Sequence, residues 1–179
     1  GLGKRLHPLT LRIPKALVKV GGKPLLTYIL EEAIGTSIRE IILIISPKHQ
    51  IDFEKYLKTA KRKFPDFRFQ IRFQKQPLGT GHVLLQAKDL IKGEAFAVRN
   101  CDDILWSRKS FLAQLLRETQ KLGNKVSMLT LRRVPRAQVS RFGVVAARRT
   151  GTRDPLYKIS GMVEKPEIRE APSNLVILG

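Results

Sequence analysis

The 179 residues, 42% of them hydrophobic, are enough for one ordinary domain or a large part of a bigger one, and they argue against disorder. A single cysteine, Cys101, excludes an intrachain disulfide and a cysteine-built zinc site and fits a reducing compartment. The 34 Lys and Arg against 15 Asp and Glu give a net charge of +19, which suggests a polyanionic partner. The basic residues are nevertheless scattered, through 58–63, 132–133 and 148–149, with no stacking or zinc-finger signature. A solvated basic surface is favoured over nucleic acid. The longest apolar run, 41–45, is far short of a membrane span and no signal peptide is visible, so the expectation is a cytoplasmic protein with no membrane partner.

In chain order, "GLGKRLHPLTLRIPK" (1–15) reads as a loop with two glycines, five basic side chains and no acid. Pro24 can start a helix whose apolar face is Leu25, Leu26, Ile29, Leu30, Ala33 and Ile34, with Gly35 as its stop. "EIILIIS" (40–46) is apolar on both faces, the pattern of a central strand covered by helices, and Ser46-Pro47 opens another helix. Residues 67–73 alternate as a strand, 81–91 read as a helix behind a glycine turn, and "AFAVRN" (95–100) reads as a strand. A helix from Ser110 to Leu122 follows, then strands near 126–131, 142–147 and 156–163. This alternation predicts a three-layer α/β sandwich with a mostly parallel sheet. With no repeat and no linker, it also predicts one domain over 1–179.

Such sheets bind ligands beyond the carboxyl ends of their strands, which singles out three loops. The opening run lets backbone amides approach an anion, with Arg5 and Lys15 as fixed donors. It is neither a dinucleotide fingerprint, since Leu6 stands where the third glycine belongs, nor a P-loop, since Gly22-Lys23-Pro24 lacks Ser/Thr. In "QKQPLGTGHV" (74–83), Gln74 offers donor and acceptor to a base edge; taken alone, a glycine turn capped by Thr80 explains the stretch as well. In "CDDIL" (101–105), Asp102 and Asp103 suit a hard cation or, equally, a turn and cap. His7, His49 and His82 lie far apart without ligand spacing and receive no role, and Trp106 reads as a packing residue.

Taken together, the loops resemble the sugar-1-phosphate nucleotidylyltransferases, and most closely their bacterial-type glucose-1-phosphate uridylyltransferase (UDP-glucose pyrophosphorylase) branch. The resemblance rests on Gly1, Gly3, Arg5, Pro8, Thr10 and "IPK" (13–15), on Lys23-Pro24, and on "QKQPLGTGH" and "FAVRNCDDIL". It continues through "VSRFGVV" (139–145), "VEKP" (163–166) and "APSNLVILG" (171–179). It implies a Rossmann-like nucleotidyltransferase sheet and transfer of a uridylyl group from UTP to glucose 1-phosphate, giving UDP-glucose and pyrophosphate with Mg2+ as cofactor.

By the same resemblance, Gly1, Gly3, Arg5 and Lys15 contact the triphosphate, with Arg5 and Lys15 catalytic. Asp102 is catalytic as the metal ligand, and Asp103 is left with a capping role. Gln74 and Gly79 read the uracil; Gly143, Glu164 and Lys165 hold the sugar and its phosphate. The family also allows a homo-oligomer. Lys4 in place of Ser/Thr, Lys19 in place of proline and the polar "RNCDD" depart from the family pattern. A thymidylyl- or guanylyltransferase acting on a hexose 1-phosphate is the alternative within the class, and a non-catalytic polyanion-binding relative the alternative outside it. The family places a strand before its glycine loop and continues past "SNLVILG". The expectation is therefore a fragment truncated at both ends, lacking its first central strand and folding poorly or inactive alone.

Overall fold

Lys23 and Pro24 close a two-residue hairpin and open the first helix. The structure, a computed structural model, describes residues 6–91, 93–105, 110–123, 126–150 and 156–178. Strand β1 (Lys19–Val20) pairs antiparallel with β2 (Lys23–Pro24), and Pro24 is the N-cap of α1 (Leu25–Ala33), where its missing N–H costs nothing. Leu26, Leu30 and Ala33 turn inward at helical spacing. They meet Leu43 and Ile45 of β3 (Glu40–Ile45) and Phe53, Leu57 and Ala60 of α2 (Gln50–Lys63) in one apolar cluster. Burying such side chains stabilises by roughly 1.5–3 kcal/mol each.

Strand β4 (Arg68–Phe73) runs parallel to β3, Glu40 opposite Arg68 and Ile45 opposite Phe73. Two short helices, α3 (Thr80–Leu85) and α4 (Lys88–Ile91), and then α5 (Phe111–Lys121) complete this unit, Gly1–Asn124. Ser110, where the sequence reading began this helix, caps α5 through its hydroxyl, which accepts from the Ala113 N–H at 3.0 Å.

The predicted single helix over 81–91 is broken. The Gln86 side chain donates to the His82 carbonyl (3.2 Å), the acceptor that an uninterrupted α-helix would give to the Gln86 N–H. The Gln86 and Ala87 amides turn instead to Val83 and Leu84, three residues back. The predicted strand over 95–100 does not form. Phe96 and Val98 are exposed, and among the described residues no strand pairs with this segment. Its composition suits a strand, but a strand exists only as half of a ladder.

The second unit, Lys125–Gly179, holds a four-stranded antiparallel sheet of β5 (Thr130–Arg133), β6 (Gly143–Arg149), β7 (Tyr157–Glu164) and β8 (Leu175–Leu178), in the order β5-β8-β6-β7. Val139, Val144 and Val176, all fully buried, form its core with Val134 and Ala171. Strand β8 lies in the "APSNLVILG" stretch, where the sequence reading placed no strand. The mixture of helices and strands agrees with the α/β expectation. Parallel pairing is found in β3 with β4 and antiparallel pairing in this sheet. Among the described residues no helix is long and apolar enough to cross a membrane.

Glu31 of α1 is held by Lys23 and Lys63, each at 2.7 Å. Burial alone would raise this carboxyl; the two ammonium groups outweigh it and keep it below the ordinary range. A depressed carboxyl lends stability above its unfolded value of roughly 4.3, and that stability is lost as acid takes it through its lower folded value. Glu31→Gln should therefore lower the melting temperature slightly at neutral pH, and the gap from the parent should close below about pH 4 in thermal melts.

Candidate active site

Lys15 begins a 3-10 turn, Lys15–Leu17, whose next two side chains, Ala16 and Leu17, pack on the apolar cluster of the first unit. That anchorage holds the lysine stem while its head stays accessible. The ammonium pairs with the Asp102 carboxylate, 87 positions away in sequence and about a third exposed on each side. The cation predicted for the triphosphate and the carboxylate predicted for the metal thus meet at one point. Gly1, Gly3 and Arg5, with Lys4 beside them, lie outside the described residues.

The two adjacent aspartates are in different positions. The Asp103 carboxylate accepts from Asn100 Nδ2 (3.3 Å), and its backbone carbonyl accepts from Arg99 Nη2 (2.9 Å), so it is tied into the turn. Asp102 faces Lys15. Behind the turn, Arg99 and Glu32 of α1 form a nearly buried ion pair at 2.9 Å, both side chains about nine-tenths covered. The other Glu32 oxygen accepts from the Leu112 N–H at the start of α5 (3.1 Å), and the Glu32 carbonyl accepts from Ser110 Oγ (2.8 Å). One side chain therefore binds the acidic loop to two helices. Burial, and next the Asp102 charge, push the Cys101 thiol up against the pull of Lys15, which keeps it a neutral thiol.

Gln74 follows β4, whose ladder its N–H extends onto the Ile45 carbonyl (2.8 Å). Its side-chain nitrogen donates to the Gly79 carbonyl (3.3 Å) and lies 3.1 Å from His82 Nδ1. The two predicted base readers are therefore in contact. Gly79 has φ +89° and ψ 177°, a conformation essentially closed to residues with a side chain. Gly79→Ala should lower stability by about 1–3 kcal/mol in urea unfolding although a Cβ would meet open space.

In the second unit, Gly143 opens β6 opposite Glu164, the last residue of β7. A Cβ there would stand 3.1 Å from Glu164 Oε2, so the carboxylate lies close over the glycine at the strand end. Lys165, with φ +46°, donates its N–H to the Phe142 carbonyl (3.0 Å) and brings its ammonium to 3.1 Å from the exposed Glu164 carboxylate. A carboxylate and a cation at one strand end suit a polyhydroxylated phosphate. Ser173 and Asn174 of the "APSNL" stretch are engaged in bracing the sheet: Ser173 Oγ donates to the Val145 carbonyl (2.6 Å), and Asn174 Oδ1 accepts from Arg133 (2.7 Å).

Sequence reasoning missed His82, Glu32 and Arg99. For His82 the only signal was its place just inside α3, eight residues after Gln74; Glu32 and Arg99 gave none, being ordinary charged residues until the fold joined them. Among the described residues, no group of three His, Cys, Asp or Glu that could hold a metal comes together. A cation here would take one carboxylate, Asp102, and complete its shell with water and phosphate oxygens, which is how magnesium is usually held. The donor set fits.

The chain is similar along its whole length to known proteins. The nucleotidyl transferase family model matches residues 1–179. The UTP–glucose-1-phosphate uridylyltransferase of Mycoplasma pneumoniae is 36% identical over 196 residues, which cover 99% of this chain and 67% of the relative. That of Pseudomonas aeruginosa is 33% identical over 199 residues, covering 100% and 70%. A crystal structure of UDP-glucose pyrophosphorylase complexed with UDP-glucose superposes with a TM-score of 0.87 at 31% identity, covering all of this chain and 71% of that one. The UTP-bound enzyme from Acinetobacter baumannii gives a TM-score of 0.81 at 26% identity, covering 100% and 70%. With a family match across every residue and relatives this similar along the whole chain, the protein belongs to the nucleotidyl transferase family.

Proposed function

We propose that the protein is a UTP–glucose-1-phosphate uridylyltransferase, joining UTP and glucose 1-phosphate into UDP-glucose with release of pyrophosphate. The observation that carries this reading is the meeting of Lys15 and Asp102, which brings a phosphate-binding donor and a hard-cation acceptor to one point. Relatives of that name match along the whole chain. A cytoplasmic site of action goes with the single cysteine.

In the reaction, a phosphate oxygen of glucose 1-phosphate attacks the α-phosphorus of UTP. The bond from that phosphorus to the oxygen bridging to the β-phosphate breaks, and pyrophosphate leaves with the electron pair. No side-chain nucleophile is needed, in keeping with the neutral Cys101 beside Asp102. The protein's work is alignment and charge. Without substrate, the Lys15 ammonium is neutralised by Asp102; a triphosphate draws the ammonium to its own oxygens and frees the carboxylate. Arg5, Gly1 and Gly3 share the triphosphate and the leaving pyrophosphate.

Asp102 would hold the magnesium, which when bound neutralises charge on the phosphate oxygens. Gln74 and Gly79 contact the uracil edge. Gly143, Glu164 and Lys165 take the sugar hydroxyls and the sugar phosphate. The full-length protein, offered UTP, dTTP or GTP against glucose 1-phosphate, should release pyrophosphate fastest with UTP. A preference for dTTP or GTP would overturn the assignment of the base.

A further inference from the structure

Both hydrogen-bonding contacts of the Gln74 side chain are made by its nitrogen, to the Gly79 carbonyl at 3.3 Å and to His82 Nδ1 at 3.1 Å. A carbonyl oxygen can only accept, so the Gly79 contact fixes which end of the amide is the nitrogen. His82 Nδ1 stands 3.1 Å from the same nitrogen and is the ring atom placed to accept from it. On the other side of the ring, Gln86 Nε2 lies 3.3 Å from His82 Nε2 and is held there by its bond to the His82 carbonyl (3.2 Å). Among the described residues, no protein donor reaches the Gln74 oxygen.

We propose that His82 is a positioning residue for base selection: together with the Gly79 carbonyl it locks the Gln74 amide so that its oxygen, an acceptor, is what the base meets. The inference rests on the reading of Gln74 as a base contact. An outward acceptor matches a pyrimidine with an N–H at ring position 3, as in uracil. It opposes cytosine, whose N3 is itself an acceptor. A Gln74 free to turn would offer its NH2 group instead and accept either base. Losing one such lock should change the discrimination by a factor of roughly ten to a hundred. Gln86 binds the main-chain carbonyl of His82 and so holds the helix break beside it.

The test is calorimetric binding of UTP and CTP to the full-length protein and to variants shown by circular dichroism to be folded. His82→Leu removes the acceptor, and His82→Asn restores one close to the Nδ1 position. His82→Gln, whose acceptor sits a bond further out, replaces the leucine variant if that does not fold. The expected result is that His82→Leu lowers the UTP-over-CTP affinity ratio by tenfold or more, chiefly by weakening UTP, and that His82→Asn recovers most of it. An unchanged ratio in His82→Leu beside a collapsed ratio in Gln74→Leu overturns the role of His82 and leaves Gln74 as the reader. A ratio that neither variant moves overturns the base-reading role of Gln74, and the proposal with it.

Discussion

Replacing Asp102 by alanine will lower pyrophosphate release by roughly a thousandfold, the rate equivalent of the several kcal/mol that a bound cation supplies to a phosphoryl transition state. The fold will hardly notice. The Lys15–Asp102 pair is about a third exposed on both sides, a setting in which ion pairs contribute about 0–1 kcal/mol. The variant should therefore melt within a degree or two of the parent while turning over almost nothing, and Asp103→Asn, whose carboxylate accepts from Asn100, should keep most of the activity. Steady-state assays and thermal melts on the same preparations check both halves. Unchanged turnover in Asp102→Ala would remove the metal role, and a large fall in melting temperature would mean that the pair is structural.

The opposite profile is expected one layer deeper. Glu32→Ala leaves the Arg99 guanidinium about nine-tenths covered without its carboxylate, and breaking such a pair from one side costs about 3–5 kcal/mol. The Leu112 N–H loses its acceptor as well. The loss should appear in urea unfolding as a lower midpoint. Because Arg99 also binds the Asp103 carbonyl, the acidic turn loosens with it, and any remaining activity should need more magnesium to saturate. Glu32→Gln, which keeps an acceptor for Leu112, should be the milder change. A loss below about 1 kcal/mol in Glu32→Ala would show the pair to be an ordinary surface bridge.

Local chemistry made part of the fold legible in the sequence. Pro24 at a helix start, the helix from Ser110 and the apolar run of β3 are decided by the residues themselves, and each element stands where its pattern predicts. Residues whose state is set by distant partners were not legible. The 95–100 segment has residues that suit a strand but no described ladder to join, and Phe96 and Val98 are exposed. Helices α3 and α4 separate at Gln86, whose side chain rather than its N–H meets the His82 carbonyl.

The candidate site divides in the same way. Lys15, Asp102, Gln74 and Gly79 were named because they stand in motifs that resemble those of the sugar-1-phosphate nucleotidylyltransferases. Their contacts join in the structure residues 87 and 5 positions apart. Glu32, Arg99 and His82 act through other side chains, and nothing in their own neighbourhood of the sequence marks a residue whose work is to hold another in place.

A direct, metal-assisted transfer between two bound polyanions is tested most directly by product stoichiometry with the full-length protein. UDP-glucose and pyrophosphate should appear in equal amounts only when UTP, glucose 1-phosphate and magnesium are all present, and should vanish together in Asp102→Ala. Pyrophosphate released from UTP without glucose 1-phosphate, or no product at all from folded protein supplied with all three, would contradict it.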